Sequence, residues 1–273
     1  MKPATHTVRL GILLAVAAAF AAAALMLPPC AQPTEYHHFA DTRPILGIRN
    51  FVNVATNLPF LLIGSAGLAF VLRAPRAHTA FAHRAEQWPY AVFFLAAALT
   101  GVASAYYHLA PDNLRLFWDR LAMTVGFMSL LAAMITERVS LTAGVRLLIP
   151  LVVLGMASAG YWRVSATIGA ENLIPYLAVQ YGSIAIVLLI AALFRSRYAR
   201  ANDIYIVLAL YAIAKLAESL VAWLFSIGWM LSGHGLKHLL AACAVYQVLR
   251  MLKARGPELS DGAAVVGDES ENA

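Results

Sequence analysis

Residues Ser104 to Asp119 read SAYYHLAPDNLRLFWD and mark where one apolar segment ends and the next begins. Pro111 stops the first segment, and Asp112 or Asn113 is a natural N-cap for the second, so the stretch reads as a hairpin of two helices. Ser104 and His108 are four residues apart and share a helix face one turn apart. Asp119 lies early in the second segment, on the same side of the hairpin. An ionisable group at membrane depth costs about 2.5–3.5 kcal/mol even on insertion scales, so these side chains need partners.

The segments on either side set the fold class. Of 273 residues, 61% are hydrophobic and only 12% charged, whereas soluble domains carry about 25% charged residues. Mean hydropathy is +0.72. A helix needs about 20 apolar residues to cross the hydrocarbon. Segments near that length lie at 10–27, 50–73, 88–109, 114–136, 144–161, 172–194, 203–226 and 232–252. The expected fold is all-α, a polytopic membrane protein with a seven-transmembrane-helix core and one extra N-terminal transmembrane helix. The chain divides into that first helix (1–29), a non-cytoplasmic polar segment (30–49), the seven-helix domain (50–253) and an acidic, disordered cytoplasmic tail (254–273). Residues 10–27 outrun a signal-peptide core, and Pro28 and Pro29 stand where a cleavage site wants small residues. A retained helix is therefore preferred to a cleaved signal.

The net charge of +6 comes mostly from short loops. Arg73, Arg76, Arg84, Arg138, Arg146, Arg195, Arg197, Arg200, Arg250, Lys253 and Arg255 all fall on one side in an alternating count. The positive-inside rule makes that side cytoplasmic, which puts the Ser104–Asp119 turn on the other face and the C-terminus in the cytoplasm. Charge spread over loops in this way argues against nucleic-acid binding. Cys30 and Cys243 form neither a disulfide framework nor a CxxC pair. Trp88, Tyr106, Tyr107, Trp118, Trp162 and Trp229 sit near span ends and read mostly as interface aromatics.

Partners for the hairpin appear in GHGLKH, where His234 and His238, again four apart, open the last segment from the same side. Two imidazoles at this spacing and a third from another helix make a three-ligand metal site with an open position for water. Zinc is the expected ion for all-nitrogen ligation in a hydrolytic site, where it lowers the pKa of bound water toward about 7. Asp119 would accept the water's proton, and Ser104 would bind the oxyanion or orient the water. Plainer roles stand beside these: histidine or serine hydrogen-bonding between helices, and an Asp119–Arg120 ion pair. Lys215 and Glu218, mid-span at i and i+3, read as a structural ion pair rather than a proton relay. Lys237 reads as a side chain snorkelling toward a lipid phosphate.

The pattern SxxxH, PDxxxxxxDR on the next helix, and HxxxH opening the last resembles the alkaline ceramidase family of the CREST superfamily of membrane hydrolases, as a bacterial-type member. The likeness covers Asn50 to Leu252. It implies a seven-helix amidase that holds zinc on His108, His234 and His238, with Asp119 and Ser104 assisting the water and the oxyanion. Eukaryotic members carry an acidic, Trp-containing calcium segment before the first core helix. This chain has EYHHFADTR and NFVNVATN instead. Glu35, Asp41, Asn50 and Asn53 offer oxygen ligands, but their order does not match, and calcium is left unassigned.

The expected function is zinc-dependent hydrolysis of the N-acyl amide of ceramide or a related lipid, giving a fatty acid and a long-chain amine. A lipid- or ion-binding receptor or transporter is the alternative of another class, because seven helices do not fix function. The broken midplane helices and paired repeats of transporters are not evident, however. A hydrolase of a lipid ester or another amide would use the same site.

Overall fold

The computed structural model describes residues 3–73, 80–220 and 232–256. They form helices α1 (Pro3–Met26), α2 (Phe51–Ala55), α3 (Leu58–Arg73), α4 (Gln87–Leu109), α5 (Asn113–Arg138), α6 (Leu141–Thr167), α7 (Ile174–Leu193), α8 (Asp203–Ser219) and α9 (Gly233–Ala254). The described residues contain one isolated bridge, Ile45 to Ile48, and no strand. Among the described residues six stretches are long and apolar enough to cross a membrane: Thr5–Met26, Phe51–Arg73, Arg84–Leu109, Asn113–Arg138, Leu141–Thr167 and Ile174–Leu193. The chain is thus a multi-pass, all-helical membrane protein. Helices α8 and α9 occupy the last two expected spans without being among the six. The end of the 203–226 span, Arg76, Trp229, most of the 227–233 connection and the tail from Pro257 lie outside the described residues.

Local chemistry sets the helix ends. Asp112 caps α5 as expected, its carboxylate accepting from the Arg115 N–H at 2.7 Å. Ser140 and Ser232 cap α6 and α9 in the same way. Each cap satisfies an N–H that no residue of its helix can reach. Pro175 falls in the first turn of α7, where its missing N–H costs nothing.

Glycines decide how closely α3 and α4 approach. A Cβ at Gly64 would stand 2.8 Å from the Phe94 carbonyl oxygen and the Ala98 Cα, and one at Gly101 would stand 2.7 Å from the Leu61 nitrogen. Backbones in direct contact are the usual outcome where lipid gives helices no hydrophobic reason to associate. This crossing brings the N-terminal end of α3 against the C-terminal end of α4.

The opposite end of the bundle is closed by buried charge. Arg255, just beyond α9, donates to Glu137 at 2.5 Å and to the Ala80 carbonyl at 2.8 Å, and stacks over Tyr198 at 4.1 Å. Tyr90 and Ser196 also donate to Glu137, at 3.0 and 2.7 Å. Tyr198 donates to Glu86. Arg138 reaches the carbonyls of Ala191, Phe194 and Ala201. One cluster thus ties the ends of four helices together.

Gly64→Val should cost about 1–3 kcal/mol or more through overpacking, read as a lowered unfolding midpoint in detergent. Arg255→Leu should cost about 3–5 kcal/mol by stranding Glu137, and Arg255→Leu with Glu137→Leu should recover most of that loss.

Candidate metal centre

His108 sits in the last turn of α4, and His234 and His238 open α9 on one face. Their ε nitrogens converge. His108 Nε2 is 3.2 Å from His234 Nε2 and 3.3 Å from His238 Nε2. All three residues are buried, and they are the group of metal-ligating side chains that stands together among the described residues.

Hydrogen bonding alone does not satisfy this arrangement. A neutral imidazole carries one N–H and one lone pair, and an ε nitrogen facing two others can pair with at most one of them. The hydrogen bonds at the other ring nitrogen point to the lone pair of His238 facing inward. Thr56 donates its hydroxyl proton to the Val52 carbonyl at 2.8 Å, so at 3.0 Å its oxygen accepts from His238 Nδ1–H. A partner of this kind is what a metal-ligating histidine normally has at its outer nitrogen. Three nitrogens about 2.0–2.1 Å from one tetrahedral ion would be separated by about 3.3–3.4 Å, close to the spacing found. The donor set therefore fits a divalent metal ion. His108 Nδ1 is buried with no partner among the described residues.

Asp119 and Ser104 face the same space. Among the described residues Asp119 Oδ1 is buried without a hydrogen-bond partner, and Ser104 lies beside the carboxylate. No ion pair joins Asp119 to Arg120, so the plainer role weighed for this aspartate is not the one found. The Arg120 guanidinium instead stacks on Trp162 at 4.3 Å and Tyr176 at 4.9 Å and donates to Gln32. Ser104, Asp119, Arg120 and His238 line a cavity of about 360 Å³. Apolar side chains make up much of the remaining wall, among them Phe60, Phe93, Leu130, Val207 and Val245, and Gln180, Tyr211, Lys215, Glu218 and Lys237 line it as well. The lining thus sets hydrocarbon surface beside polar groups.

The polar segment before α2 is a strap laid over the histidines. Phe39 packs on His108 and His234, with ring centroids 4.7 and 5.2 Å apart. His37 bridges the Tyr107 hydroxyl and Asn113 Oδ1, both at 3.0 Å. Asn50 donates to the His108 carbonyl at 2.8 Å, and Tyr36 donates to Glu218 at 3.1 Å. Burial, with the Glu218 carboxylate beside it, pushes the Tyr36 phenol up, which keeps it a donor. No sequence motif marks Phe39, Tyr36 or Thr56. Their roles follow from helices that meet only in the folded chain.

The residues weighed for calcium are engaged in this strap. Arg43 donates to both Asp41 oxygens, at 2.8 and 2.7 Å, and its hydrogen bonds hold that carboxyl below its ordinary value. Asn53 donates to the Asp41 carbonyl, while Glu35 is exposed.

Two sequence readings change. Lys237 does not snorkel outward. It donates to Glu218 at 2.9 Å and lies 3.3 Å from His234 Nε2, because a carboxylate already held by Lys215 stands within reach. The expected Lys215–Glu218 pair is present, enlarged to three charges. Trp88, Tyr106 and Trp118 are exposed, as interface residues should be, but Tyr107 and Trp162 are fully buried around the site. No protein-family model and no curated protein sequence matches the chain.

Thr56→Val should weaken metal binding about 10- to 100-fold, as loss of such an outer partner typically does. Thr56→Ser should not. Metal retained through dialysis against graded chelator measures both.

Proposed function

We propose that the protein is a metal-dependent hydrolase of a lipid N-acyl amide, of which ceramide is the type. The observation that carries this reading is a buried His108–His234–His238 centre whose His238 lines one largely apolar cavity with Asp119 and Ser104. In this reading α8 and α9 complete a seven-helix core with α1 outside it. By the positive-inside rule, the arginine-rich loops favour a centre toward the non-cytoplasmic face and a cytoplasmic C-terminus.

His108, His234 and His238 would hold the ion. A divalent ion such as zinc supplies Lewis acidity and lowers the pKa of water when bound. The chain's own groups do the rest. Asp119 Oδ1, with no competing partner, is free to take a proton from water and later return it to the leaving amine. The Ser104 hydroxyl can turn from Asp119 to donate to the carbonyl oxygen as charge develops there. Phe39 covers two of the imidazoles and limits access of bulk water. The apolar walls bind acyl chain, which orients the amide at the polar groups.

Purified protein should carry about one zinc per chain and release fatty acid from an N-acyl lipid. Alanine at His108, His234 or His238 should remove both properties and leave a helical, monodisperse protein. Asp119→Asn should lower kcat by about 10²–10⁴ with metal retained. Metal without turnover on any amide or ester lipid would instead identify a binding protein, and full activity in metal-free protein would sink the reading.

A further inference from the structure

Among the described residues Arg120 is the buried cation for which the fold supplies no carboxylate. It is 5% exposed, and its Nη1 is buried with no hydrogen-bond partner. Among the described residues its one hydrogen bond is to the neutral Gln32 amide on the strap. By contrast, Lys215 and Lys237 are both committed to Glu218. The cavity holds three cations, Arg120, Lys215 and Lys237, against two carboxylates, Asp119 and Glu218, a surplus of one positive charge.

A buried N–H donor left unpaired costs about 1–3 kcal/mol, and more when it is charged. Stacking on Trp162, Tyr176 and Tyr36, at 4.3, 4.9 and 5.7 Å, holds the guanidinium plane without using its N–H groups. Arginine kept planar with open donors is the usual receptor for a carboxylate or phosphate oxygen. Arg120 lines the same cavity as His238 and Asp119.

We propose that Arg120 is an anion-binding residue of the cavity, which receives a carboxylate or phosphate oxygen of the lipid bound there. This deepens the hydrolase reading by naming the ligand's chemistry. Two sources carry such oxygens: an acidic head group on the intact lipid, and the carboxylate of the released fatty acid. Asp119 opposes the anion, so binding should be tighter when the metal centre is filled.

Binding to the zinc-loaded protein in detergent, followed by tryptophan fluorescence, needs no turnover and so tests this residue independently of hydrolysis. Oleate should bind about tenfold or more tightly than oleyl alcohol if the product carboxylate is the ligand. Oleyloxyacetate should bind similarly more tightly than its methyl ester if a head group is. Arg120→Gln should abolish whichever preference is found and leave the neutral ligands' affinity within about twofold. Gln32→Glu, which offers the guanidinium an internal carboxylate, should do the same, and it decides the matter if Arg120→Gln does not fold. Equal binding of both pairs by wild-type protein, or a preference that survives these substitutions, overturns the proposal. Loss of hydrolysis with anion preference intact would overturn only the hydrolase.

Discussion

Three imidazole nitrogens held 3.2 and 3.3 Å apart inside an apolar bundle cannot satisfy one another, and much of the structure follows from accommodating them. Water would normally solvate such groups. Here α3, α4 and α9 surround them, and the outer hydrogen bond from His238 to Thr56 leaves the inward lone pair for an ion. The glycine crossing at Gly64 and Gly101 has a local consequence too. It brings the start of α3, which carries Thr56 and Asn57 just before it and at its edge, against the turn of α4 that carries His108. Packing at the helix crossing and ligand orientation are thus one problem with one solution.

Polarity is divided between the two ends of the bundle, and the two ends use it differently. At the Arg255 end the buried charges described meet opposite charges or carbonyls, although Arg138 Nε is left without a hydrogen-bond partner among the described residues. At the histidine end Asp119 Oδ1, Arg120 Nη1 and Asn57 Oδ1 are buried without partners among the described residues. Asp119, Arg120 and Asn57 line one cavity, and there a ligand can be bound at a gain, because it completes hydrogen bonds the fold leaves open. The strap over residues 32–50 adds a cover. Phe39 supplies apolar contact to the imidazoles, while Tyr36, His37, Gln32 and Asn50 each spend a polar group on a different helix. Its own path is held by the Asp41–Arg43 pair.

Local sequence carried the helices, their approximate ends and the Asp112 cap, because hydropathy over about 20 residues and the chemistry of a helix N-terminus are properties of neighbours in the chain. It also carried the pairing of His234 with His238 and of Ser104 with His108, since a four-residue spacing fixes a shared face before any tertiary contact exists. That His108 and the α9 pair should meet was an expectation from segment order and side, and the bundle brings all three together, buried. Partners that depend on side-chain reach were not legible. Lys237 turns to Glu218 from the preceding helix, and Trp162 leaves the interface to stack under Arg120. Arg120 looked like the natural partner of Asp119, yet adjacent residues on a helix point about 100° apart, and only the packed bundle shows that each faces its own surroundings.

What the sequence determined by itself is therefore the class of molecule, an all-helical membrane chain, and the identity of the groups with metal-binding chemistry. Tertiary structure alone decided which of the buried polar groups are satisfied and which are left open, and that the strap closes over the centre. The physical reason is range: hydropathy and helical periodicity act between neighbours, whereas hydrogen-bond satisfaction in a low-dielectric interior depends on atoms up to 182 residues apart, as Tyr36 with Glu218 and Thr56 with His238 are.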